Sequence, residues 1–192
     1  MVGQELPVAC ALADTGNLEA LQSLPTKQLW IPDKYGSGPI HWAAGSGHLE
    51  VVRWLHSVVG MDAESEGLRI SSRTKRRRPL HYAARNGRLE ICRYLCEELH
   101  VDADPNDHQL VTPFQLAVWQ NQAEVAAYLV ESRGVDPLQR NTFGCAAQHW
   151  IGTCPPERTG PLPDGEGLLP LARWLTAKGV DWKAPQRQGH LP

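Results

Sequence analysis

The chain has 192 residues and a net charge of −2, too small to mark a nucleic-acid or membrane surface by itself. Its 42% hydrophobic and 21% charged residues are the proportions of a globular protein and exclude wholesale disorder. No stretch approaches the roughly 20 apolar residues that span a bilayer, so no membrane partner is expected.

At the N-terminus, Met1 to Ala13 has no basic region and is interrupted by Glu5 and Pro7, so it does not read as a secretory signal. The cysteines (Cys10, Cys92, Cys96, Cys145, Cys154) are odd in number and scattered, which fits a reduced intracellular compartment, cytoplasm or nucleus. Val8 to Leu24 places Ala13, Gly16, Leu18 and Leu21 at offsets that return further along.

The clearest copy of that pattern runs Pro39-Ile40-His41-Trp42-Ala43-Ala44-Gly45-Ser46-Gly47-His48-Leu49-Glu50-Val51-Val52. Pro79 to Cys92 matches it position for position, with His81, Ala83, Ala84 and Gly87 in register. Thr112-Pro113-Phe114-Gln115-Leu116-Ala117 opens a third copy, and Ala147-Gln148-His149-Trp150 a degenerate fourth. The starts at 39, 79, 113 and 147 lie 40, 34 and 34 residues apart.

Each recurring residue has a physical task. Proline suits the first turn of a helix, where its missing N–H costs nothing, and Thr112 before it is a good N-cap. The alanine pairs let the first helix approach its neighbour. Gly47 and Gly87 end that helix in a left-handed cap. Leu49, Val51, Val52 and Leu55 then predict a second amphipathic helix, repeated by Leu89, Ile91, Cys92 and Leu95 and by Leu168, Leu171 and Leu175.

Asp33-Lys34-Tyr35-Gly36 and Asn141-Thr142-Phe143-Gly144 predict tight turns between copies. Arg76 and Leu110 stand where glycine is expected, so those turns either use another backbone geometry or are strained. An insertion of about six residues falls within Gly60 to Arg78, and one of about twelve within the Pro/Gly-rich Thr153 to Gly167; repeat proteins place such insertions on one face.

This pattern resembles the ankyrin-repeat family, whose unit has about 33 residues and a T-P-L-H-x-A signature. The segment Asn141 to Trp150 resembles Trp-rich members of that family. The resemblance implies an all-α solenoid of paired antiparallel helices with hairpin-like turns, in one domain over residues 1–192. Its units are a divergent N-terminal cap at 6–32, then 33–72, 73–106, 107–140, and 141–186 with the inserted loop 153–167. Arg187 to Pro192 reads as the start of a truncated further repeat, whose unfinished edge favours self-association.

The resemblance also implies function. First helices and turn tips line a concave groove in this family, so the chain is expected to be a protein-protein interaction scaffold or adaptor, with no catalysis and no cofactor. The alternative is a targeting or substrate-recruiting fragment of a larger enzyme or enzyme complex. The sequence has no nucleotide-binding glycine loop, no G-x-S-x-G and no H-E-x-x-H. A nucleic-acid partner is not favoured.

His41, His81 and His149 recur at one repeat position. Their expected role is a buried hydrogen bond between adjacent turns, because Gln115 replaces the histidine in the third copy and can do the same work. Cys92 and Cys96, and Cys145 and His149, are spaced i, i+4. A zinc site needs four converging ligands, and Cys92 lies on the core stripe as a small hydrophobe, so no metal is expected.

The candidate partner-binding residues form two groups. Arg73, Lys75, Arg76, Arg77 and Arg78 make a basic strip for an acidic partner, a nuclear import signal, or a solvated loop. Gly45, Ser46, Arg85, Asn86, Trp119 and Gln120 occupy the exposed positions before the helix-ending glycine. Trp119 is the foremost candidate, since exposed aromatics become interface hot spots; the competing reading packs it on the neighbouring repeat. Tyr35, at a turn tip, comes second. Trp42, Tyr82 and Trp150 are expected to pack between repeats, and Trp54 and Trp174 to be structural.

Overall fold

The computed structural model describes residues 6–67, 76–151 and 169–183. Regular structure among the described residues is helical, with no strand. The chain divides into two compact units, Met1–Ala83 with Glu90–Asp102, and Ala84–Leu89 with Ala103–Pro192.

In the first unit lie α1 (Val8–Thr15), α2 (Leu18–Ser23), the single turn α3 (Thr26–Leu29), α4 (Pro39–Ser46) and α5 (Leu49–Ser57). Helix α6 (Pro79–Arg85) begins there, and α7 (Leu89–Arg93) ends there, running on as the π-helical turn Tyr94–Glu98. Helix α1 packs on α4 through small residues, Ala9, Cys10 and Ala13 against Ala43 and Ala44, all buried. Without bulky side chains between them the two backbones come close. Val51, Val52 and Leu55 of α5, and Ile91, Cys92 and Leu95 after α6, form the buried stripe expected of second helices.

In the second unit lie α8 (Pro113–Trp119), α9 (Ala123–Ala127) with its π-helical continuation Tyr128–Ser132, the 3₁₀ turn Ala147–His149, and α10 (Leu169–Ala177). Helix α8 packs on α9 and on the 3₁₀ turn, which in turn meets α10. Phe114, Leu116, Val125, Leu129, Leu171 and Leu175 are its buried side chains. Thr112 caps α8 by accepting the Gln115 N–H at 3.3 Å. The first helix of the fourth copy is only this 3₁₀ turn. Ala146-Ala147 supplies neither the hydroxyl cap nor the proline that starts α8, so one turn forms where a full helix was expected.

Helices α1, α4 and α6 are followed by Gly16, Gly47 and Gly87 at φ +72°, +96° and +70°, the left-handed conformation expected of a cap. At the tight turns, Arg76 and Leu110 adopt φ 54° and 57° beside 87° at Gly36 and 76° at Gly144. At Leu110 the strained alternative holds: the turn keeps its geometry and the non-glycine residue bears the left-handed cost of about 1–2 kcal/mol, and Arg76 has the same left-handed φ. Asn121 (φ 55°) likewise stands in the glycine position after α8, and His100 (φ 55°) in that of Gly60 and Gly134.

Arg73, Lys75, Leu168, the insertion Thr153 to Gly167 and the segment Arg187 to Pro192 lie outside the described residues.

Candidate protein-binding site

The turns aim the side chains at their tips. Asp33 Oδ1 accepts the N–H groups of Tyr35 at 2.8 Å and Ser37 at 2.9 Å. Asp107 Oδ1 does the same for Gln109 (2.8 Å) and Val111 (3.0 Å), and Asn141 Oδ1 for Phe143 (2.9 Å) and Cys145 (3.0 Å). The carboxylate or amide thus organises each loop from inside. Tyr35 is held out at its tip, 52% exposed, with the Lys34 ammonium 5.2 Å from its ring centre.

Behind each tip sits the recurrent histidine. Nδ1 of His41, His81 and His149 accepts the N–H three residues earlier, from Gly38 (3.1 Å), Arg78 (3.1 Å) and Ala146 (3.2 Å). In His41 the proton therefore sits on Nε2, which donates to the Ser65 carbonyl at 2.9 Å. Gln115 Nε2 donates to the Gln139 carbonyl at 2.9 Å, the equivalent bond made by an amide. Burial holds the His41 imidazole below its ordinary pKa of 6.5, so it stays neutral. Trp42 Nε1 donates to Asp33 Oδ2 at 3.1 Å, and the Tyr82 hydroxyl lies 2.6 Å from Ser37 Oγ.

The first-helix ends carry the exposed candidates. In the first unit the Ser46 hydroxyl donates to Asp14 Oδ1, and Gly45 is buried, not exposed as the spacing suggested. In the second unit Arg85, Trp119 and Trp150 come together. The Arg85 guanidinium lies 5.3 Å from the Trp119 ring centre, within cation–π range. Trp150 meets the same ring edge-on, centroids 6.0 Å apart and planes at 63°. Trp119 remains partly exposed, and Asn86 is exposed.

Gln120 departs from expectation: it is only 5% exposed. Helix α8 stops at Trp119, so Gln120 is its C-cap, with its N–H bonded to the Leu116 carbonyl at 3.1 Å and its side chain turned inward. That removes it from the set of surface contacts.

Two arginines of the basic strip, Arg76 and Arg78, are compensated by the chain's own acids. Arg76 pairs with Glu66. The Arg78 guanidinium lies between Glu64 (3.8 Å), Glu66 (3.6 Å) and Asp102 (4.0 Å). The alternation of acids at 62–66 and bases at 73–78 was the sequence signal for this pairing.

Cys10 and Cys92 are buried, and burial pushes the Cys10 thiol up to about 12 and the Cys92 thiol upward as well. Neither supplies thiolate near neutral pH. Among the described residues no group of three or more His, Cys, Asp or Glu could hold a metal ion, and no helix is long and apolar enough to cross a membrane.

Two family models match the sequence: "Ankyrin repeats (many copies)" over residues 6–56 and "Ankyrin repeats (3 copies)" over residues 64–141. The chain belongs to the ankyrin-repeat family. Ankyrin repeats are in general protein-protein interaction modules, and ankyrin proteins are typically non-catalytic. No curated protein matches the chain.

Of the signature residues, Pro39, His41, Ala43, Pro79, His81, Ala83 and Pro113 are buried in first helices, whereas His149 and Gly87 are partly exposed and Gly47 is exposed. Repeat spacing points to Arg85 and Trp119 separately. The contact of Trp119 with Trp150 is of the kind the competing reading of Trp119 expected, packing on the neighbouring repeat, whereas the approach of Arg85 is not encoded in spacing along the chain.

Proposed function

We propose that this ankyrin chain is a protein-binding scaffold, without catalysis of its own, that holds a partner on first-helix ends and turn tips. The observation that supports this reading is the Arg85–Trp119–Trp150 cluster. The Trp119 ring is flanked by a guanidinium and by a second indole, yet stays partly open to solvent. A large aromatic surface already held in place loses little side-chain entropy when a partner covers it. Tryptophan and arginine are also the residues that dominate interface hot spots.

The matching partner surface is apolar or aromatic, fitted to the open part of the Trp119 ring. Arg76 and Arg78 contribute less, because their charge is met by Glu64, Glu66 and Asp102. Pull-downs with the wild type, Trp119→Ala and Arg76/Arg77/Arg78→Ala test the reading. A partner held by the wild type is expected to bind at least about tenfold more weakly to Trp119→Ala. If both variants keep every partner, the proposed surface is wrong.

A further inference from the structure

A pocket of about 150 Å³ opens in the first compact unit, between the turn that leads into α4 and the segment that follows α5. Its buried walls are Leu29, Ile40 and Met61. Its exposed lining residues include Trp30, 51% accessible, and Asp62. A dry apolar cavity of about that size accepts one aromatic ring.

Ser65 and Gly67 line one side of the opening. After Ser65 has met His41, the chain bends at Gly67, φ +74°, where a Cβ would lie 2.6 Å from the Gly36 carbonyl oxygen. This wall is bare backbone, and no side chain can grow from it to close the space. None of these residues belongs to the Arg85–Trp119 cluster, so the inference goes beyond the function proposed above.

We propose that the pocket takes one apolar side chain of a partner peptide, while an adjacent basic residue of that peptide rests on Asp62 and Trp30. The volume limits the buried part to a single ring or a branched aliphatic group. The apolar walls exclude charge from the depth, where it would lose its hydration uncompensated. At the open end the Asp62 carboxylate and the Trp30 ring face both attract a cation. Glu64 and Glu66, further along the same segment, are engaged by Arg76 and Arg78; Asp62 lines the pocket, with one carboxylate oxygen accepting the Glu64 N–H at 2.8 Å.

Titration of the ¹⁵N-labelled full chain with acetyl-Phe-Lys-amide and acetyl-Phe-Glu-amide, read at the Trp30 indole N–H, tests this. The lysine peptide is expected to give a saturable shift and to bind about fivefold more tightly than the glutamate peptide. Gly38→Leu should abolish both titrations by filling the pocket. Gly38 lines it, has ordinary extended backbone (φ −90°, ψ −179°), and has nothing within 4 Å of its Cβ position, so the fold accommodates the change. Asp62→Asn should keep the ring bound and erase the preference for lysine. Trp119→Ala should leave both titrations unchanged while weakening capture of the scaffold's partner, so the two readings fail separately. Equal affinity for the two peptides, unchanged binding by Gly38→Leu, or no movement of the Trp30 signal would overturn the proposal.

Discussion

The turn Asp33–Ser37 and the turn Asp107–Val111 bring their backbones round with the same bonds. In each, an aspartate oxygen accepts two N–H groups two and four residues on, and its own N–H donates to the carbonyl that closes the loop, at 2.9 Å in the first and 3.0 Å in the second. They differ at the left-handed residue, Gly36 in one and Leu110 in the other. Glycine reaches that conformation freely; leucine does not. The comparison teaches that the aspartate and the repeat register impose the turn, and that glycine only lowers its cost.

The sharpest way to break that comparison is Asp107→Ala. It leaves two N–H groups in a buried turn without their acceptor, and the loss of stability in urea unfolding is expected to be about 2–3 kcal/mol. Asp107→Asn should cost far less, since Asn141 performs the same task in its own turn. A loss below about 0.5 kcal/mol for Asp107→Ala would mean that the register alone holds the turn.

Exchange at the left-handed position should act with opposite signs. Gly36→Ala is expected to destabilise by about 1 kcal/mol, and Leu110→Gly to stabilise by up to about 1 kcal/mol, offset in part by glycine's unfolded-state entropy. Leu110 is 45% exposed, so little packing is lost with its side chain. Thermal denaturation of the pair decides it; destabilisation by Leu110→Gly would show that the leucine contributes more than its strain.

A smaller effect separates His41 from Gln115, which makes the equivalent bond. The folded pKa of His41 is depressed, so below the ordinary value of 6.5 the unfolded chain binds the extra proton. Stability is therefore fully present above that value and falls as pH drops through it. His41→Gln should flatten this part of the profile. Equal pH dependence in wild type and His41→Gln would show that the ring does not titrate between the two states as described.

The helical pairs, their register and the buried histidine were legible in the sequence because each rests on a local rule. Proline starts α4, α6 and α8, small residues allow close backbones, and glycine caps. The shortened fourth copy was half legible: Ala147 stands in for the proline, yet the spacing alone suggested a full helix. Burial of Gln120 was not legible, because the direction of a side chain leaving a helix end depends on where the helix stops, and α8 stops one residue sooner than α4. The approach of Arg85 to Trp119 joins residues from two copies, and no periodicity encodes that.

The most direct test of a partner-holding surface is photo-crosslinking from the residue that follows Arg85. With p-benzoylphenylalanine placed at exposed Asn86, the chain should join one discrete protein, and Trp119→Ala in the same chain should remove that product. Placed at Val58, 71% exposed on the residue after α5, the crosslinker should give no such product. A product formed from Val58 and not from Asn86, or one that persists with Trp119→Ala, would contradict the account.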